Sequence, residues 1–223
     1  MDERLLIFDC DGVLVDSECI ATDVFLAHIR LAGGRIDEVE AYERFLGRTS
    51  TAVHRMLREE YAVELAAPQL ERMRIELFER LREDLQPMPG IAEVLADVDG
   101  PICVASSSSP ERIHLELEVT GLLHFFAPRI YSAAMVDEGK PAPDLFLHAA
   151  ASLHIPPSNC IVIEDSPPGI RAARAAGMRV LAFTGGSHGA PCNLAPDVAA
   201  LSPDAVFDDM RQLPDLLGAI GVR

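Results

Sequence analysis

Asp9 and Asp11 stand on either side of Cys10, directly after the apolar run Leu5-Leu6-Ile7-Phe8. In an extended segment the side chains at i and i+2 point the same way, so these two carboxylates can share one pocket. Three further features follow short apolar runs: Ser106-Ser107-Ser108, Lys140 before Pro141, and Glu164-Asp165-Ser166. Each also has a plain structural reading. Asp-Gly after a strand makes a turn, serines before Pro110 cap a helix, and Glu-Asp-Ser can do likewise. Taken together they suit one chemistry. Converging carboxylates repel one another and rise in pKa unless a cation sits among them. Hard oxygen ligands suit Mg²⁺, which takes one or two carboxylates plus water and a substrate phosphate. Lys140 and the serine hydroxyls would donate to further phosphate oxygens. One carboxylate is then left to attack and another to move protons, which is phosphoryl transfer through an aspartyl phosphate.

Lys140 is the chain's single lysine beside eighteen arginines. A compact ammonium and a planar guanidinium are not interchangeable at a tight site. The seven histidines lie outside the four features, His148 and His154 fall on a predicted helix, and Gly185-Gly186-Ser187-His188-Gly189 reads as a loop.

The elements that must hold these residues alternate. Apolar runs at 5–8, 102–105, 161–163, 179–182 and 205–207, with a weaker one at 129–131, lack the in-out alternation of half-exposed strands, so they predict strands buried on both faces. Helical patterns separate them: Pro110 to Val119 closed by Gly121, Pro143 to Leu153, and Gly169 to Ala176 closed by Gly177. That βαβ series predicts an α/β fold, a doubly wound parallel sheet with its ligands at the C-terminal strand ends. The series is interrupted between Asp16 and Pro87, where only helical patterns occur: 17–31, 51–61, and Leu70, Met73, Leu77 and Leu81 with Pro68 in the first turn. We read residues 17–87 as an inserted helical cap domain, residues 1–16 with 88–223 as the Rossmann-like core, and 13–16 and 85–90 as the hinges.

The 223 residues carry a formal charge of −16. That acidity argues against nucleic acid or an anionic membrane, and no apolar run approaches a membrane span. Cys10, Cys19, Cys103, Cys160 and Cys192 are odd in number and scattered, which reads as reduced thiols in a cytoplasm. The segment 17–87 nets −4 and the remainder −12, so the cap is the better place to hold the far end of an anionic substrate. Most cap arginines should nonetheless pair along helix faces, as Glu76 could with Arg80.

The stretch Asp9-Cys10-Asp11-Gly12-Val13-Leu14-Val15-Asp16-Ser17-Glu18 resembles the first motif of the haloacid dehalogenase superfamily. Ser106 stands as its second motif, Lys140 in Lys-Pro-x-Pro-Asp as its third, and Glu164-Asp165-Ser166 as its fourth. The likeness is greatest to the branch of β-phosphoglucomutases and sugar phosphatases, notably the bacterial 6-phosphogluconate phosphatases. The resemblance implies that Asp9 is the nucleophile and that Asp11 protonates the leaving alcohol and then activates water. It implies Mg²⁺ on Asp9, the backbone carbonyl of Asp11 and Asp165, with Glu164 as a further ligand. It implies Ser106, Lys140 and, as helpers, Ser107 and Ser108 on the phosphoryl group, and Arg48 in Gly47-Arg48-Thr49 on the distal part of the substrate. The expected activity is hydrolysis of a small phosphorylated metabolite by a monomer. The rivals are a phosphomutase, a phospho-receiver module and a dehalogenase. The mutase branch carries a His five residues after the Asp that closes the first motif, where Ala21 stands here, and a cap lysine, which this chain lacks.

Overall fold

The computed structural model describes residues 4–189 and 194–220. After β1 (Leu5–Phe8) come the helices α1 (Glu18–Leu31), α2 (Glu38–Phe45), α3 (Ser50–Glu60), α4 (Ala67–Asp84) and α5 (Ile91–Asp97). Then follow β2 (Ile102–Ser106), α6 (Pro110–Val119), α7 (Leu123–Phe126), β3 (Ile130–Ser132), α8 (Asp144–Ser152) and β4 (Cys160–Glu164). The chain continues through α9 (Pro167–Ala175), β5 (Arg179–Phe183), α10 (Leu194–Ala200), β6 (Ala205–Phe207) and α11 (Leu213–Ala219).

Among the described residues six parallel strands form one sheet in the order β3-β2-β1-β4-β5-β6. The continuous apolar character of the strands has its cause in the two layers of helix around them. Leu6 and Phe8 of β1, with Ile161 and Ile163 of β4, enter one core cluster. Leu5 and Ile7, with Cys160 and Val162, enter the cluster on the opposite face. Alternate residues thus meet apolar cover on both sides, as a doubly wound sheet requires. The connection from β1 runs to β2 on one side while β4 pairs on the other, so the C-terminal end of β1 opens at the switch point where such sheets bind ligands.

Helices α1, α2 and α3 pack around a smaller cluster that includes Leu26, Ile29, Ile36, Phe45, Leu57 and Val63, whereas α4 sends Leu81, Leu77 and Phe78 to a cluster of the sheet. Two crossing segments tie this block to the sheet. Val15 pairs antiparallel with Pro87, Asp16 N–H donates to Gln86 O at 3.0 Å, and Met88 N–H donates to Leu14 O at 2.9 Å.

Two local expectations are corrected. Arg80 bonds Asp84 one turn further on, at 2.8 Å, because Glu76 is taken by His28 of α1 at 3.0 Å. His154 lies beyond the end of α8 at φ +58°, since the helix stops at Ser152. Cys10, Cys19, Cys103 and Cys160 are free thiols, and Cys192 lies outside the described residues. No described helix is long and apolar enough to cross a membrane.

Candidate active site

Asp9 leaves β1 at its C-terminal end, and β4 delivers Glu164 and Asp165 beside it. All three are buried, and each has a carboxylate oxygen within 4.8 Å of the others. Lys140, from the loop between β3 and α8, reaches under them. Its Nζ lies 3.0 Å from Asp9 Oδ1 and 2.6 Å from Glu164 Oε1, with the Phe146 ring 5.1 Å away. Burial opposes the ammonium, but Asp9 and Glu164 outweigh it and raise the Lys140 pKa above its ordinary value. Burial likewise drives the Asp9 carboxyl well above the usual range, against Lys140, with Glu164, Asp165 and Asp11 adding to the rise. The Asp165 carboxyl is raised too, again chiefly by burial. Carboxylates forced up in this way call for a cation.

The donors fit Mg²⁺: oxygen ligands only, at a spot where a Cβ on Gly12 would run into the Asp165 carboxylate. Gly12, at φ +75°, is therefore required twice, for its backbone and for the space it leaves. Glu164 has other work. Oε1 accepts from Lys140, and Oε2 accepts from Ser166 N–H at 2.7 Å and Ser166 Oγ at 2.9 Å.

Asp11 faces a separate set of donors. Ser17 Oγ donates to its Oδ1 at 2.6 Å, while Ser108 Oγ at 2.7 Å and Ser106 Oγ at 3.3 Å donate to its Oδ2. Arg112 Nη2 makes an ion pair with Oδ1. Burial pushes the Asp11 carboxyl up, but Arg112 and the hydroxyls outweigh it, so its pKa lies below the usual value. Ser107 turns away, donating to Gly47 O at 2.9 Å. Both capping readings also hold: Ser109 caps α6 and Ser166 caps α9.

The cap loop at Gly47 closes over this edge. A Cβ on Gly47, at φ +71°, would strike Ser166 Oγ, and Thr49 packs against Gly139 next to Lys140. Beneath lies a cavity of about 170 Å³ bounded by Asp9, Asp11 and Ser106 on one side and by Phe25, Phe45 and Met73 on the other. Arg48 and His54 line it. Arg48 is exposed, and its Nε donates to Arg44 O at 2.8 Å.

The sequence features thus come together: Asp9, Asp11, Ser106, Ser108, Lys140, Glu164 and Asp165 meet at one sheet edge, with Arg48 at the cap side. Sequence reasoning missed His188, Arg112, Glu116 and the role of Ser17. The segment read as a plain loop makes a 3₁₀ turn at Ser187–Gly189 and buries His188, whose Nε2 lies 3.1 Å from Asp165 Oδ2. A signal existed: the loop leaves β5 at the same sheet edge as Asp165. Glu116 had a signal as well, since it shares the apolar face of α6 with Ile113 and Leu117.

A family model of haloacid dehalogenase-like hydrolases matches residues 3–177. This chain belongs to that family. Among curated proteins, the haloacid dehalogenase-like chain is 30% identical over 215 residues to a 6-phosphogluconate phosphatase from Escherichia coli, covering 96% of this chain and 94% of that one. It is 31% identical over 176 residues to the fructose-1-phosphate phosphatase of the same organism, covering 78% and 92%. Among solved structures, a conserved haloacid dehalogenase-like protein of unknown function from Agrobacterium tumefaciens superposes with a TM-score of 0.81 at 39% identity, covering 98% and 99%. A HAD-family hydrolase from Deinococcus radiodurans, solved with bound phosphate and sodium, gives 0.76 at 29% identity, covering 98% and 96%.

Proposed function

We propose that the protein is a Mg²⁺-dependent phosphatase that hydrolyses a small phosphorylated metabolite, a sugar or sugar-acid phosphate, through an aspartyl phosphate on Asp9. One observation carries this reading. Asp9 is buried with Lys140 3.0 Å away and with Glu164 and Asp165 in reach of one cation. The phosphatase relatives support the reaction class, and the sugar and sugar-acid phosphates in their names support the substrate class.

Asp9, Asp165 and the backbone carbonyl of Asp11 would hold the metal, with Glu164 engaged instead in fixing Lys140. When bound, Mg²⁺ supplies charge neutralisation for the phosphoryl oxygens and the carboxylates. An oxygen of Asp9 attacks phosphorus as the ester P–O bond breaks, and Asp11, whose pKa the negative charge of the arriving phosphate raises so that it takes up a proton, gives that proton to the departing alcohol oxygen. Asp11 then takes a proton from the water that cleaves the aspartyl phosphate, releasing phosphate and restoring Asp9. Lys140 stands by Asp9 to pair the added charge, and Ser106 lies close enough to share that task. The cap loop at Gly47 closes the cavity to bulk water. Four free cysteines are in keeping with a reducing cytoplasm.

The test is phosphate release from a set of sugar and sugar-acid phosphates with Mg²⁺, repeated after chelation by EDTA. Turnover that vanishes with EDTA and returns with Mg²⁺ is expected; full activity after exhaustive chelation removes the metal from the account. β-Glucose 1-phosphate with a trace of its 1,6-bisphosphate separates the mutase. Glucose 6-phosphate outrunning free phosphate would overturn hydrolysis as the main reaction.

A further inference from the structure

Among the described residues Arg112 is the one cation paired with Asp11, and it belongs to none of the four motifs. It comes from the first turn of α6, whose start is fixed by Ser109 accepting from Arg112's own backbone N–H. Its side chain is 18% exposed, and its guanidinium is held at two points. Nη2 pairs with Asp11 Oδ1, and Nε donates to Glu116 Oε1 at 2.7 Å. Glu116 is fully buried one turn further along α6. Its other oxygen, Oε2, lies 3.6 Å from the Sγ of Cys10, the residue between the two aspartates. A carboxylate placed wholly inside a core is costly, and replacing such a pair with apolar groups is often neutral or stabilising. The pair Glu116–Arg112 therefore calls for a use beyond stability, and its geometry supplies one. A guanidinium is a planar fork, so fixing one edge on Glu116 fixes where the other edge meets Asp11.

We infer that Arg112, braced by Glu116, is a positioning residue that sets the orientation of the Asp11 carboxyl for proton transfer to the leaving alcohol. The inference rests on the acid–base role given to Asp11 above. A sugar alkoxide leaves poorly unless it is protonated as the P–O bond breaks, whereas a nitrophenolate leaves without that proton. The ratio kcat/KM reports the steps up to alcohol release, so it isolates this transfer.

The experiment compares kcat/KM for the sugar phosphate turned over fastest in the phosphate-release screen with that for p-nitrophenyl phosphate. Arg112→Met should lower the first by roughly a hundredfold and the second by less than about threefold, with Arg112→Lys recovering part of the loss. In an Asp11→Asn background the same substitution should cost nothing further, as expected of two groups acting in series. Equal losses on both esters, or the full loss in the Asp11→Asn background, would overturn the inference and make Arg112 a substrate ligand or a structural ion pair. If Arg112→Met leaves Glu116 orphaned and fails to fold, Arg112→Met/Glu116→Gln removes both charges and gives the same comparison. Unchanged sugar-phosphate turnover in Asp11→Asn alone would instead sink the acid–base reading, so the two failures are distinguishable.

Discussion

The sheet-edge wall of the cleft carries Asp9, Asp11, Lys140, Glu164 and Asp165, all buried and each bonded or paired to a neighbour. The cap wall opposite is lined by Val24, Phe25, Phe45, Val53, Met73 and Leu77, with Arg48 and His54 among them. The first wall is over-determined: moving any one charge strands another in a low dielectric, so positions are held closely. The second is apolar and can grip a phosphate only weakly. It acts through shape and by excluding water, and hydrophobic pockets discriminate by only about 1–3 kcal/mol for each methylene. On the proposed reading, reaction and selection therefore sit on different parts of the fold. Changes on the sheet edge should alter the rate, and changes on the cap should alter which substrate is taken.

The sharpest way to break that division is Asp9→Asn. The substitution keeps the shape and removes the oxygen proposed to attack, so turnover should fall on the order of a thousandfold or more. Phosphate release and a thermal melt check it together. Substantial activity in a folded variant would move the nucleophile elsewhere. Lys140→Arg comes next, with a loss of roughly a hundredfold in kcat despite the retained charge. Lys140 has no exposed side chain and sits between Asp9, Glu164 and the Phe146 ring, which leaves no room for a wider guanidinium. Near-wild-type kcat in the Arg variant would show that any cation suffices there.

What could be read from sequence follows the same division. The strands and the four motif ends were legible because each is local: apolar runs of a few residues, Asp9 and Asp11 at i and i+2, serines before a helix. The topology then brings those ends together, as the β3-β2-β1-β4-β5-β6 order requires. Arg112 and Glu116 were easily passed over because a Glu and an Arg at i, i+4 on a helix ordinarily lie on a solvated face. Only Glu116's place beside Ile113 and Leu117 on the buried face of α6 distinguishes them. His188 was hidden for another reason: its neighbours in sequence are glycines and a serine, and its partner Asp165 belongs to another strand end. The pairing of Glu76 with His28 was likewise a matter of α1 lying against α4, which helical spacing alone does not state.

The smallest expected effect tests the cap side. Arg48 lines the cavity, yet it is exposed and its Nε already closes the end of α2 through Arg44 O. A charge so placed acts on a substrate largely through a solvated field, with a reach of about 8 Å at physiological ionic strength. Arg48→Ala should therefore raise KM for a sugar-acid phosphate by no more than about fivefold and leave kcat unchanged. The same variant should affect a neutral-tailed sugar phosphate less, because the distal carboxylate is what the guanidinium would meet. The difference should shrink as salt is added. Steady-state kinetics on the two esters at low and high ionic strength measures this directly. A large fall in kcat would place Arg48 with the reacting groups and abolish the division between the walls. An unchanged KM with a lowered melting temperature would leave Arg48 as a helix cap alone.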